Sequence, residues 1–375
     1  LKLKNTKIVT EIPLVGVNVE PSRPVLTLDS VMRGTFQSEF NAWFAFKLTG
    51  RQTYTALFNQ ILYNVFHSSS SQYIIGKDSY IFDRPSLFNE VPEERYADID
   101  AYVAILKELS TELMLLNKPL IVTIVNGKEN FYYSYLPDCY KRYLKMWENG
   151  EYGVRWSDLF KDKIAETDVL VLDTFDRVME QTRAGEITWT KGGGHQTQVT
   201  TAEYVNGING LIERSLDKKL GKLVVHQTDM EYGKPQMAQD CDIWNLTWNC
   251  FYMPPKYYSP KVQFSSRRDD YAPNLYIVGD SFSWLPVNTV YGLNGAWNWM
   301  PSGSVWNSTD QQWYASYVMN FPLNKRIFDS PADPQFVLNH DAIIIELLDK
   351  QIAPGMDRFM FARDLLDYIK SIKSY

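Results

Sequence analysis

Apolar and polar positions follow two regimes along this chain. Up to about residue 95 the pattern is mixed. Within residues 1–30, "KIVTEIPLVGV" and "PSRPVLTL" are apolar stretches punctuated by proline, which predicts extended, strand-like chain. Helical spacing appears in "SEFNAWFAFKLTG" and "QTYTALFNQILYNVF". In "SSQYIIGKDSYIF" two apolar runs, Tyr73–Ile75 and Tyr80–Phe82, flank Gly76, Lys77, Asp78 and Ser79, and predict a hairpin.

From about residue 96, helix-period segments alternate with short apolar runs. "DIDAYVAILKELSTELMLLNK", "CYKRYLKMWENG", "RWSDLFKDKIAE", "TAEYVNGINGLIERSLDKKL" and "RFMFARDLLDYIKSIK" read as helices. "PLIVTIV" and "DVLVLDTF" read as strands buried on both faces, and "KLVVHQ", "NLYIVG" and "DAIIIEL" as further strands. Strands separated by helices predict an α/β fold, a mostly parallel sheet flanked by helices. The expected organisation is an N-terminal extension over 1–95 packing on an α/β domain over 96–375. That domain includes an aromatic-rich insertion at 284–325, with Trp284, Trp297, Trp299, Trp306 and Trp313 among Asn, Gly, Ser and Gln. Such an insertion either packs its rings onto the core or offers flat faces to sugar rings.

Composition narrows the function classes. A chain of 375 residues can bury a sizeable core. Its net charge of −6 argues against nucleic acid, which needs a basic face. The 3 cysteines form neither a disulfide framework nor a zinc spacing. Cys241 and Cys250 are either a bridge or two thiols. No metal site is apparent and no cofactor is expected. Asn245-Leu246-Thr247 and Asn307-Ser308-Thr309 fit the glycosylation pattern. No apolar run approaches the roughly 20 residues of a membrane span.

In open α/β sheets, ligands bind beyond the carboxyl ends of the strands. Three predicted strand ends offer polar groups: Asn126, Gly127 and Lys128; Asp173; and Gly279, Asp280 and Ser281. Ser281, just past "NLYIVGD", is either a nucleophile or a helix cap. A nucleophilic serine needs a base, usually histidine. Of the 4 histidines, His67 lies in a loop, His226 at a strand end and His340 before a strand. His195 follows Gly192, Gly193 and Gly194, where the backbone lets another group approach closely. Thr200 and Glu203 match a capping box that starts the next helix. His195 is the best base candidate.

These landmarks resemble a known family. "GDSFS" after a strand, with a histidine on a loop before a helix, resembles the SGNH-hydrolase-like superfamily. Histidine preceding serine resembles the AlgX/AlgJ-like alginate O-acetyltransferases, which acetylate exopolysaccharides. "IIGKDSYIF" is similar to that family's hairpin, and "VNGKENFYYSYLP", with Lys128, Tyr132, Leu136 and Pro137, to its lysine–tyrosine–leucine–proline segment. "DAIIIELLDKQI" is similar to its terminal strand. The similarity runs from about residue 25 to 370. One departure stands out: the family carries Asp-x-His-Trp, and the matching positions here are Gly193, Gly194, His195 and Gln196. The acid that orients the imidazole is missing from its usual place. Either Asp173, Asp240, Asp242 or Asp280 replaces it, or a Ser–His dyad operates, or the chain only binds sugar.

The resemblance implies an O-acetyltransferase working through an acetyl-serine on Ser281 with His195 as base. The alternatives are a carbohydrate acetylesterase and a non-catalytic assembly component. Asp280 and Asp173 are candidate supporting acids. Lys128, Asn126, Trp284, Trp297 and Trp299 are candidate substrate-binding residues. Backbone N–H groups at 279–281, with Asn126 or Gly127, are candidate oxyanion donors. The implied partners are a polysaccharide acceptor and a membrane-bound acyltransferase that donates acetyl groups. The implied location is the cell surface or periplasm, with an N-terminal membrane tether outside this sequence.

Overall fold

The continuous apolar runs assemble into one parallel sheet. A computed structural model describes residues 21–47, 51–69, 73–83, 90–91, 96–142, 154–220, 222–232, 241–246, 258–267, 273, 275–279, 281–283, 299–301, 334–349, 352 and 357–373. In chain order the strands are β1 Tyr73–Ile75, β2 Ile81–Asp83, β3 Glu90–Val91, β4 Leu120–Val125, β5 Val154–Arg155 and β6 Leu170–Asp173. They continue with β7 Lys222–Tyr232, β8 Tyr258–Arg267, β9 Leu275–Val278, β10 Trp299–Pro301 and β11 Ala342–Leu348. The central sheet has the order β10-β9-β11-β4-β6, with every pairing parallel.

Register explains the two-sided core. Ile343 to Leu348 of β11 align with Leu120 to Val125 of β4, and Ala342 to Ile345 align with β9. Every residue of β4, β9 and β11 is buried. On one face Ile121, Val125, Leu275, Ile277, Ile344 and Leu348 pack with Tyr204, Val205 and Ile208 of the helix Gln198–Leu216. On the other, Leu120, Val122, Ile124, Ile343 and Ile345 pack under the helices Tyr96–Met114, Trp156–Ala165 and Asp357–Lys373. A strand apolar on both faces needs helices on both, and the chain supplies them. Truncating a residue such as Ile345 to alanine would cost about 2–5 kcal/mol.

Three sequence expectations need correction. "KLVVHQ" does not join the parallel sheet. Its strand β7 pairs antiparallel with β8 in a separate two-stranded ribbon. A short apolar run carries no information about strand direction. Residues 21–27 form no strand, and Leu28–Met32 is a helix, because Thr27 and Ser30 close a reciprocal capping box. The helix expected to start beyond Thr200 begins at Gln198, with Thr197 as its N-cap. Thr200 bonds back to the Thr197 carbonyl at 2.9 Å, and Glu203 pairs with Arg177 at 2.8 Å. Residues 1–20, the part of "CYKRYLKMWENG" from 143 on, and nearly all of 284–325 lie outside the described residues.

The N-terminal hairpin forms as its pattern predicts, with β1 and β2 antiparallel and Ile75 opposite Ile81. Tyr63, Ile75 and Ile81 form a small core with Cys241, Ile243 and Trp244. Tyr63 meets Trp244 edge-on at 5.1 Å. The N-terminal region therefore holds the segment around 241–244 in place.

Candidate active site

β9 ends at Val278, buried Gly279 follows, and a single 3₁₀ turn spans Ser281–Ser283. Gly279 is required by a neighbour. A Cβ there would lie 2.9 Å from both Cβ and Oε1 of Glu346 on β11. Glu346 is fully buried, and its Oε2 accepts from the Tyr204 hydroxyl at 2.9 Å. That hydroxyl lies 3.0 Å from Thr123 Oγ1 on β4. A polar cluster inside the sheet therefore underlies the turn that carries Ser281. Asp280 and the Ser281 side chain lie outside the described residues.

The histidine loop is docked by hydrogen bonds at each of its glycines. The Gly192 carbonyl accepts from Trp244 N at 3.0 Å. The Gly193 carbonyl accepts from Lys128 Nζ at 3.0 Å, and Gly194 N donates to Asp242 Oδ1 at 2.6 Å. A Cβ on Gly194 would come within 2.8 Å of Ile243 Cδ1, so a larger residue there would displace the Ile243 side chain. His195 Nδ1 hydrogen-bonds Asp242 Oδ2. Asp242 Oδ1 also accepts from Ile243 N at 2.7 Å. The carboxylate missing from position 193 is thus supplied by Asp242, the first residue of the helix Asp242–Leu246. Asp173 and Asp242 both stood among the possible acids, and the imidazole pairs with Asp242. With Nδ1 held by a carboxylate, the orientation and tautomer of the His195 ring are set by Asp242.

His195 also meets the serine turn. The ring of Phe282, next in chain to Ser281, lies 4.5 Å from the imidazole centroid. Phe282 is 5% exposed, so the contact is part of the core. The fold therefore brings the histidine loop and the end of β9 together, as their separate placement in sequence could not show. Among the other histidines, His67 is exposed, His226 is exposed on β7, and His340 is buried edge-on against Tyr276.

Lys128 is not placed to bind a substrate. It is 4% exposed, and its ammonium donates to the carbonyls of Ile81, Lys191 and Gly193 at 2.9, 2.8 and 3.0 Å. Three donors meet three acceptors, which leaves none for a sugar. Burial pushes this amine down to about 7, against the opposing pull of the Asp242 and Glu129 carboxylates. Its structural effect is to tie the histidine loop to strand β2.

The strand ends of β4 and β6 form a second polar cluster. Asn126 Nδ2 donates to Asp173 Oδ1 at 2.7 Å, and Lys161 Nζ bridges Asn126 Oδ1 and Asp173 Oδ2, both at 2.8 Å. Asp173 Oδ1 also accepts from Phe175 N at 2.9 Å. Asp173 therefore serves Lys161 and Asn126, not His195. Gly127 N donates to Asp349 Oδ1 at 3.1 Å, so this N–H is not held ready for an oxyanion. Trp284 and Trp297 lie outside the described residues, and Trp299 opens the edge strand β10, its side chain likewise not described.

Sequence reading did not single out Phe282, Lys161 or the Tyr204–Glu346 pair. Lys161 carried no motif, being one of several lysines on an amphipathic helix. The Glu346 signal was present as a lone acid within "AIIIELL". Among the described residues, no group of three or more His, Cys, Asp and Glu side chains could hold a metal ion, and no helix is long and apolar enough to cross a membrane.

No protein-family model matches the sequence, and no curated protein is similar to it by sequence. Solved structures do resemble it. The O-acetyltransferase domain of Pseudomonas putida AlgJ is 13% identical, with a TM-score of 0.46 over 75% of this chain and 92% of that one. Bacillus cereus PatB1 is 12% identical, with a TM-score of 0.41 over 75% and 97%. Pseudomonas aeruginosa AlgX is 12% identical, with a TM-score of 0.40 over 84% and 71%. AlgJ and AlgX give their names to the family that the sequence motifs resemble.

Proposed function

We propose that this chain is an O-acyltransferase that moves acetyl groups onto hydroxyls of a polysaccharide outside the cytoplasm. The observation that carries the reading is His195, oriented by Asp242 and packed on Phe282 beside Ser281. Ser281 Oγ attacks the carbonyl carbon of an acetyl donor while His195 Nε2 takes its proton. The donor's C–O bond breaks, His195 returns the proton to the departing oxygen, and acetyl-Ser281 remains. A sugar hydroxyl then gives its proton to His195 and attacks the acetyl carbon. Ser281 leaves, recovering the proton. The negative charge on the carbonyl oxygen is held by backbone N–H groups of the 279–281 turn. By the family resemblance, the donor is a membrane-bound acyltransferase and a membrane tether lies N-terminal to this sequence. An imidazole oriented by a carboxylate is what proton transfer to and from Ser281 requires, which favours catalysis over sugar binding alone.

Intact-protein mass spectrometry after brief exposure to p-nitrophenyl acetate tests the reading, with nitrophenol release followed in the same tube. Wild type should gain one acetyl group and release nitrophenol in a burst. Ser281→Ala should do neither, a loss of at least about 10³-fold in rate. An adduct of equal size on Ser281→Ala would contradict the assignment. Partition of acetyl-enzyme between water and added oligosaccharide separates a transferase from an esterase.

A further inference from the structure

Beyond the reacting groups, the same sheet edge holds a preformed cleft of about 310 Å³. It sits where β4, β6 and β11 end, between Asn126, Asp173 and Asp349 at the strand ends and Arg155 of β5 with Asp158 and Lys161 of the helix that follows it. Because all five strands run parallel, this cleft and the Ser281 turn open on one edge. Ser281 follows β9, with β11 and then β4 and β6 alongside. The ends of β4 and β6, where Asn126 and Asp173 line the cleft, are two to three strand spacings from β9, about 12 Å.

The cleft is built rather than incidental. Lys161 bridges Asn126 and Asp173, Asn130 Nδ2 donates to Asp349 Oδ2 at 2.8 Å, and Arg155 Nε donates to Asp158 at 2.8 Å. Asn126 is 2% and Asp349 8% exposed, so burial and these bonds fix their positions. Amide, carboxylate, ammonium and guanidinium groups line the cavity, and Phe175 adds an aromatic wall. Fixed hydrogen-bonding groups beside an aromatic face suit a sugar ring. The charges matter too. Arg155 and Lys161 stand against Asp158, Asp173, Asp176 and Asp349, two cations to four carboxylates. Asp176 is exposed and forms the lip. A carboxylate-bearing ligand would meet a surplus of like charge.

We infer that this cleft is a subsite for the acceptor glycan, that it takes sugar residues without carboxylates, and that it engages the polymer some 12 Å from the acetylated hydroxyl. The inference rests on the acyltransferase reading and adds a substrate class to it. It requires an extended acceptor, since a single sugar cannot occupy the serine turn and the cleft at once. It also sets this chain apart from an enzyme that acts on a polyuronate.

The test uses the full chain with three acceptor sets: neutral hexasaccharides of glucose, mannose and N-acetylglucosamine; the matching monosaccharides; and hexauronates. Burst release from p-nitrophenyl acetate is read alongside transfer. At least one neutral hexasaccharide should accept acetyl about tenfold better than its monosaccharide and than any hexauronate. Phe175→Ala should raise its KM about five- to tenfold with the burst unchanged. Asp176→Lys, at an exposed site, should narrow the gap between neutral and acidic acceptors with the burst unchanged. A normal burst with hexauronates accepted as well as neutral chains, or with both variants transferring like wild type, would overturn the inference. An absent burst in wild type would instead count against the acyltransferase reading. Calorimetric binding of the same hexasaccharides to wild type, Phe175→Ala and Asp176→Lys then decides the cleft alone, and equal affinities across the three proteins would reject it.

Discussion

Two polar clusters stand on the carboxyl edge of one sheet, and they are held by different means. In the Asn126–Lys161–Asp173 cluster, Asn126 and Asp173 stand at the ends of β4 and β6, and Lys161 of the helix Trp156–Ala165 bridges them. The His195–Asp242 pair is built on a glycine loop and a five-residue helix, 47 residues apart in sequence. That helix is held by Tyr63, Ile75 and Ile81 of the N-terminal region, and the loop by Lys128. The strand-end cluster inherits its geometry from the sheet. The histidine pair gets its geometry from loops clamped by long-range contacts, so its orienting acid can come from a distant segment without altering the core.

Isosteric substitutions that remove the charge of the two acids sharpen the contrast most. Asp242→Asn should slow acetyl-enzyme formation by about 10²–10⁴, because the amide no longer favours the Nδ1–H tautomer. Asp173→Asn removes a partly exposed ion pair and should leave that rate within about fivefold. Rapid-quench burst kinetics on the two variants would show it, and equal losses would erase the distinction between the clusters.

A smaller effect is expected at the loop's closest approach. Gly194→Ala puts a methyl group against Ile243 and should cost about 1–3 kcal/mol of stability, with a slower burst. Ile243→Ala vacates that space, so the double variant should be less impaired than the two single effects summed, a coupling measured by denaturant unfolding.

A further effect concerns Lys128 and pH. The unfolded chain holds this proton to about its ordinary 10.5, whereas the folded chain releases it near 7. Between those values the unfolded state binds more protons, so this group makes stability rise with pH, by up to about 1.4 kcal/mol per unit. Below 7 it adds no slope. Lys128→Met should flatten the rise in unfolding free energy between pH 7 and 9. An unchanged slope would mean that the amine stays charged in its cage of three carbonyls.

The same contrast explains what the sequence could reveal. "LIVTIV", "LYIV" and "AIIIELL" announced their strands because a strand buried on both faces has no polar alternation to disguise it. Asn126, Asp173 and Ser281 were found as residues that end such runs. Strand direction was not legible, so β7 was read into the wrong sheet. Nor was the acid on His195 legible. Four aspartates were equivalent by spacing, and only packing of 241–244 on Tyr63 and the hairpin selects Asp242. Lys128 was visible as a motif residue but misread as a ligand contact, because its three carbonyl partners come from separate segments.

The most direct test of the account is ¹⁵N NMR of the His195 ring at a pH where it is neutral, in wild type, Asp242→Asn and Asp173→Asn. Wild type and Asp173→Asn should carry a proton on Nδ1, and Asp242→Asn should shift toward the Nε2–H tautomer. An Nε2-protonated ring in wild type, or a spectrum unmoved by Asp242→Asn, would contradict the claim that Asp242 orients the catalytic base.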